Sequence, residues 1–195
     1  MTEKCEPGGI ETRLGWQSHL KIGAVVSVLY VWAYYMTVSI ISPIQGALLP
    51  SVIMSLLFLP HGVRVLAAWI YGWRSVAYLL PGVVGCNLHF AGDQAFSPGS
   101  LTGMALSLVA APLAFAAVRG IVGARVVTVG TARLQTVVLT GFAASVFNLL
   151  GLKLAYGLRP LEGVVIFVGD ASGLIVSVLI VWAVLNWLGR RRSQP

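Results

Sequence analysis

Residues 164–188 read VVIFVGDASGLIVSVLIVWAVLNWL, an apolar run carrying one charge, Asp170. As a helix rising 1.5 Å per residue it is roughly 37 Å long, more than the ~30 Å hydrocarbon core of a bilayer. Arg190, Arg191 and Arg192 follow at once. An apolar run closed by a basic cluster is the pattern of a membrane-crossing helix whose C-terminal end faces the cytoplasm. This stretch decides the fold class, because the rest of the chain repeats its pattern.

The chain has 195 residues, of which 57% are hydrophobic and 10% charged. Its mean hydropathy is +0.88. Ordinary globular domains carry about a quarter charged residues. So few charges cannot cover a water-facing surface. Upstream of the last run, residues 134–156, 101–118 and 20–41 are plain spans, the second holding Pro112. Residues 44–59 form a further apolar stretch interrupted by Pro50. Residues 63–87 open on Arg64 and are interrupted at Gly72-Trp73-Arg74 and at Pro81-Gly82. That segment reads either as one broken helix or as a short re-entrant helix followed by a separate crossing. Irregular backbone at membrane depth is tolerated only where protein or a water-lined cavity covers it.

The apolar runs are continuous rather than alternating, which favours helices over a barrel. The expected fold is all-α: a polytopic integral membrane bundle of about six transmembrane helices, one or two of them broken or re-entrant. One domain is expected over residues 20–188, with a polar arm at 1–19 and a basic tail at 189–195. No cleavable signal peptide, repeat or appended domain is expected.

The net charge is +7, but the basic residues stand at helix ends. They read as topology determinants and contacts to anionic lipid rather than as a nucleic-acid surface. The clusters Arg119 to Arg133 and Arg190 to Arg192 belong on the cytoplasmic side, as do Lys4, Arg13 and Lys21. The loop around Asp93 then lies outside, which gives six crossings with both termini in the cytoplasm. Lys153 and Arg159 run against this rule, though Lys153 can snorkel and Glu162 offsets Arg159. Cys5 and Cys86 fall at opposite faces, so no disulfide is expected.

Charge inside a membrane is costly and marks the place to look for function. Asp170 is either one half of an ion pair that fixes the bundle or an acid lining a cavity. Its candidate partners are Arg64 and Arg74, with Arg74 the deeper and better placed. Together with Asn87 these residues form a candidate ligand-binding or buried polar cluster: Arg64, Arg74, Asn87 and Asp170. Gly169 and Gly173, extended by Ser177, and Gly99 and Gly103 make G-x-x-x-G pairs, which read as helix-packing faces. Asn148 and Asn186 read as helix-to-helix hydrogen bonders.

Cys86-Asn87-Leu88-His89 has no second ligand cluster, so neither a metal nor another cofactor is expected. The serines and threonines of the spans lack a nearby histidine in sequence, so no nucleophile–base–acid set is expected. There is no phosphate loop and no H-E-x-x-H. These absences point away from an enzyme.

Three segments carry a resemblance. They are Leu59-Pro60-His61-Gly62-Val63-Arg64-Val65-Leu66-Ala67-Ala68, Gly72-Trp73-Arg74, and Pro81-Gly82-Val83-Val84-Gly85-Cys86-Asn87-Leu88. They resemble the MASE1 family, a membrane-embedded sensory module of bacterial diguanylate cyclases and histidine kinases. Gly169-Asp170 resembles the Gly-Asp pair that starts a late helix in that family. The resemblance implies a bacterial inner-membrane protein with a ligand site near Arg64, Arg74, Asn87 and Asp170. The chain departs from the family at His61, where a small residue is usual. It also departs in helix number, about six against about eight, and in having no output domain after Arg192. A sensor without an output is expected to act through a partner; otherwise the protein does something else.

Three functions compete. The first is a non-catalytic sensory or accessory module that binds a partner membrane protein or a small ligand. The second is a small-solute transporter component, similar in size and helix count to the substrate-binding part of energy-coupling-factor importers. The third is a structural subunit of a larger membrane complex.

Overall fold

The computed structural model describes residues 15–48, 55–122 and 134–192. Among these no strand occurs, and helices account for nearly everything. They are α1 (Trp16–Met36), continued by a π-helical turn (Thr37–Ile41) into α2 (Ser42–Leu48); α3 (Leu59–Tyr71); α4 (Arg74–Ala91), followed by a 3₁₀ turn (Gly92–Phe96); α5 (Pro98–Val122); α6 (Leu134–Tyr156); and α7 (Pro160–Arg192). The protein is an all-α membrane-type helix bundle. Four of its helical stretches are long and apolar enough to cross a membrane: Trp16–Leu48, Pro98–Ile121, Gln135–Tyr156 and Pro160–Arg191. The helices α3 and α4, with 13 and 18 residues, are shorter.

Directions follow from which residues touch. Along α1 and α4, His19 meets Tyr78, Ser27 meets Gly82, and Tyr35 meets His89, so these two helices run parallel. Leu59 at the start of α3 meets Thr37 late in α1, and α3 ends at the turn into α4, so α3 runs the other way. Gly72 makes that turn, with a φ of 57° that suits a residue lacking a Cβ. On α7, Gly169 and Gly173 meet Phe58 and Leu59 while Ser177 meets Gly62, so α7 runs parallel to α3. The pair α5 and α6 is antiparallel, with Gly103 at Tyr156 and Gly151 at Leu106. The start of α1, Arg74, Arg119, Arg190 and Arg191 therefore share one end of the bundle. Asp93, Lys153 and Arg159 share the far end.

The middle of the bundle is α3. Its Val65 and Ala68 pack with Ala111, Ala114, Val137, Ala144, Leu174 and Val178 from α5, α6 and α7. Its Ala67 joins Val26, Tyr30, Tyr78, Leu79, Val83, Cys86 and Leu108 on the other side. Small residues recur on both faces, as expected where helices meet without a hydrophobic driving force and gain by close approach.

Residues 44–59 do not form the expected crossing. Residues 44–48 continue the first helix through its π turn, residues 49–54 lie outside the described residues, and residues 55–58 are non-helical. The return traverse is made by residues 55–58 with α3. Residues 63–87 are accordingly not one broken helix: the chain reverses at Gly72-Trp73, leaving a short helix followed by a separate antiparallel one. Lys4, Cys5, Arg13, Pro50, Arg125, Arg133 and the end of the tail also lie outside the described residues. Cys86 is buried and its thiol is free.

Candidate functional site

The non-helical residues 55–58 lie within the bundle, against α7. Irregular backbone within a membrane-type bundle needs partners for its polar groups. The structure provides them one by one. Leu56 N–H donates to Gln45 Oε1 at 2.6 Å, Phe58 N–H to Gly169 O at 2.9 Å, and Leu59 N–H to Thr37 Oγ1 at 3.3 Å. Ser172 Oγ donates to Leu56 O, and Ser55 Oγ to Leu57 O at 3.0 Å. Gly169 and Gly173 make this possible. A Cβ at either would overlap the backbone of Ser55 or Phe58. The small face of α7 thus receives an irregular strand of backbone rather than a second helix along its whole length. The π turn in α1 has a matching role, since it carries the buried Thr37 that caps the start of α3.

A cavity of about 370 Å³ opens beside this break. Its wall takes the second halves of α1, α4 and α6, the first halves of α5 and α7, and Ser55 and Phe58. It therefore occupies the end of the bundle far from Arg190. Polar groups stand in an otherwise largely apolar wall: Ser42, Ser55, Asn87, Ser100, Ser107, Asn148 and Tyr156 contribute, together with Arg64 and Asp170.

Arg64 and Asp170 are 3% and 1% exposed, yet they do not pair with each other. Arg64 Nη1 donates to Ser107 O at 3.1 Å, and its guanidinium lies over the Phe58 ring at 5.7 Å. Asp170 Oδ2 accepts from Asn148 Nδ2 at 2.7 Å and lies 3.4 Å from His61 Nδ1. Facing a carboxylate, Nδ1 is assigned as the protonated nitrogen on hydrogen-bond grounds. The other ring nitrogen, Nε2, is 3.1 Å from Ser145 Oγ and 3.3 Å from Gly141 O. Asn87 also lines the cavity. It ties the end of α4 to the start of α5, donating to Ala95 O at 2.7 Å and accepting from Ser100 Oγ at 2.9 Å.

Of the four residues of the candidate cluster, Arg64, Asn87 and Asp170 share this cavity, and Arg74 does not. Arg74 is exposed at the start of α4, just after the Gly72 turn. The reversal there puts it at the basic end of the bundle, so the expected Asp170–Arg74 pair is absent. Arg74→Gln should change stability by no more than about 0.5 kcal/mol; a larger loss in thermal unfolding would contradict a surface position. Gly99 and Gly103 face Ala155 and Tyr156 of α6 as helix-packing glycines.

The partners of Asp170 are His61 and Asn148. His61 is distant from Asp170 in sequence, and α3 carries it to the carboxylate. The same placement creates a hydroxyl–imidazole–carboxylate chain, Ser145–His61–Asp170, where no such set was expected. Ser145 is fully buried, its hydroxyl also donates to Gly141 O at 3.2 Å, and neither Ser145 nor His61 lines the cavity. The chain links α3, α6 and α7 and offers a substrate no route to Ser145. Among the described residues no cluster of metal ligands occurs.

No family model, curated protein or solved structure matches the chain. The cavity and its charges therefore stand on their own geometry.

Proposed function

We propose that this protein is a non-catalytic sensory or accessory module that binds a small ligand within the membrane bundle and passes the event to a partner membrane protein. The observation that carries this reading is the polar cavity. A bundle whose task is only to pack has no use for a buried arginine whose Nε lacks a partner among the described residues. The MASE1-like segments support the same reading, since Arg64, Asn87 and Asp170 all belong to them. So does the position of the break: binding beside residues 55–58 would bear on α3, the helix that touches every long neighbour. We place the protein in a bacterial inner membrane with both termini in the cytoplasm, following the basic residues at one bundle end.

The test is a ligand screen on purified protein in lipid nanodiscs, read by melting temperature. Compounds that stabilise the native protein should lose at least tenfold in affinity with Arg64→Gln, because one charge-assisted contact accounts for that much. Arg74→Gln should leave the response intact. Affinity purification in mild detergent should recover a partner membrane protein. If stabilising compounds act equally on the Arg64→Gln protein, the cavity is not their site.

One observation favours a second reading, a solute-transporter component. Helices broken near mid-membrane beside a polar cavity are a common feature of transporters. Accumulation of a solute by liposomes carrying this protein alone would select that reading over the sensor.

A further inference from the structure

Two residues of the cavity wall each bury a polar atom that has no hydrogen-bond partner among the described residues. One is Arg64 Nε, a donor on a charged group; the other is Asn148 Oδ1, an acceptor. Their residues are 3% and 2% exposed. Asp170 lines the same cavity, held by Asn148 and His61. Building on the ligand-binding reading above, we infer that the cavity takes a small zwitterion. This is a molecule with a carboxylate or similar anionic group at one point and an N–H-bearing ammonium at another, as in an amino acid.

The anionic half follows from Arg64. Its guanidinium presents a planar fork of donors that fits a carboxylate. Among the described residues the one carboxylate in salt-bridge range of a basic side chain is Asp170, facing His61, whose ring is charged only when protonated, so no described carboxylate stands against Arg64. A carbonyl and an aromatic face are its neighbours. A buried cation with Nε unsatisfied is best completed by an anion with two acceptor oxygens.

The cationic half follows from Asn148 and Asp170. Asn148 commits its amide N–H to Asp170, which leaves Oδ1 seeking a donor. An ammonium supplies donors for Oδ1 and offsets the nearby carboxylate. A plain anion would leave Oδ1 orphaned and add a second negative charge to a cavity that already holds Asp170. A plain cation would face Arg64 without a partner. A molecule with both poles answers both groups and offsets Asp170. Tyr30, Tyr34, Phe58 and Met104 give it an apolar side for the body of the ligand. The volume of about 370 Å³ equals that of about a dozen water molecules, the range of a single small metabolite.

The main comparison keeps the protein unaltered and varies the ligand. Full-length protein in nanodiscs is titrated calorimetrically with the natural amino acids. Each one that binds is compared with its methyl ester, which lacks the carboxylate charge, and with its deaminated acid, which lacks the ammonium. At least one amino acid should bind, and each relative should bind roughly 10–100-fold more weakly. Arg64→Lys should retain part of the binding and Arg64→Gln should lose it. An ester or deaminated acid that binds as tightly as its parent overturns the zwitterion class. So does binding confined to dicarboxylates, simple amines or sugars, and in both cases the cavity remains a ligand site. If none of these classes binds a protein that elutes as a single species and melts cooperatively, the ligand-binding reading fails with it.

Discussion

Replacing His61 by leucine is expected to destabilise the folded bundle by about 3 kcal/mol, the upper end of the cost of leaving a buried polar group without its partner. Leucine fills nearly the same volume, so the loss reports polar chemistry rather than a hole. Three groups are affected at once: the Asp170 carboxylate, Ser145 Oγ and the Gly141 carbonyl all face the ring. Asp170 would keep only the Asn148 amide at 2.7 Å. Removing both members should hurt less than the two single losses combined. The His61→Leu/Asp170→Leu protein should be more stable than additivity predicts by at least ~1 kcal/mol, as for residues in direct contact. The parallel cycle of Asp170→Leu with Arg74→Gln should be additive. Denaturant titration in mixed micelles gives all the free energies required. Additive losses for His61 and Asp170, or coupling between Asp170 and Arg74, would contradict the geometry.

The error about Arg74 shows what sequence could reveal and where it stopped. Apolar length and low charge are properties of a segment, so the plain spans at 101–118, 134–156 and 164–188 correspond to α5, α6 and α7 with little change. Arg74, Arg119, Arg190 and Arg191 likewise mark one bundle end, because each sits where a helix starts or stops. Depth within the irregular region is another matter. It depends on where the chain turns, and the sequence around Gly72 offered two readings. Taking 63–87 as a single crossing placed Arg74 deep; the positive φ of Gly72 puts it at the surface. His61 was missed for a related reason. It stands next to Pro60, which reads as the end of one span, whereas it occupies the first turn of α3 inside the bundle. A proline at the first turn of a helix is a start signal as much as a stop signal. That ambiguity, with the polar groups of the wall gathered from six helices spread along the sequence, hid the cavity.

The second large effect is expected at Gly173. A methyl group there would fall within the Phe58 carbonyl and only 3.0 Å from Leu59 N. Backbone surrounds it, and that backbone is fixed by the hydrogen bonds from Phe58 to Gly169 and from Leu59 to Thr37. Nothing nearby can swing aside, so Gly173→Ala must push α7 away from the break. We expect a loss of about 3 kcal/mol or more, at the upper end of overpacking costs. Gly169→Ala meets the Ser55 carbonyl and should be almost as severe. The α5 glycines supply the contrast. At Gly103 the obstacle is the Tyr156 ring, 2.7 Å away at Cε2, and a side chain can rotate, so the cost should be nearer 1 kcal/mol. At Gly99 the nearest atom is the Ala155 carbonyl at 3.4 Å, an ordinary contact. There the better helix propensity of alanine, up to about 1 kcal/mol, should cancel the crowding or exceed it. Four alanine variants unfolded under identical conditions should therefore rank Gly173, Gly169, Gly103, Gly99 from most to least damaging. Because the break forms one wall of the cavity, the first two should also weaken any ligand response while the last leaves it unchanged. If Gly173→Ala melts no lower than Gly99→Ala, residues 55–58 do not lie against α7, and the cavity loses that wall.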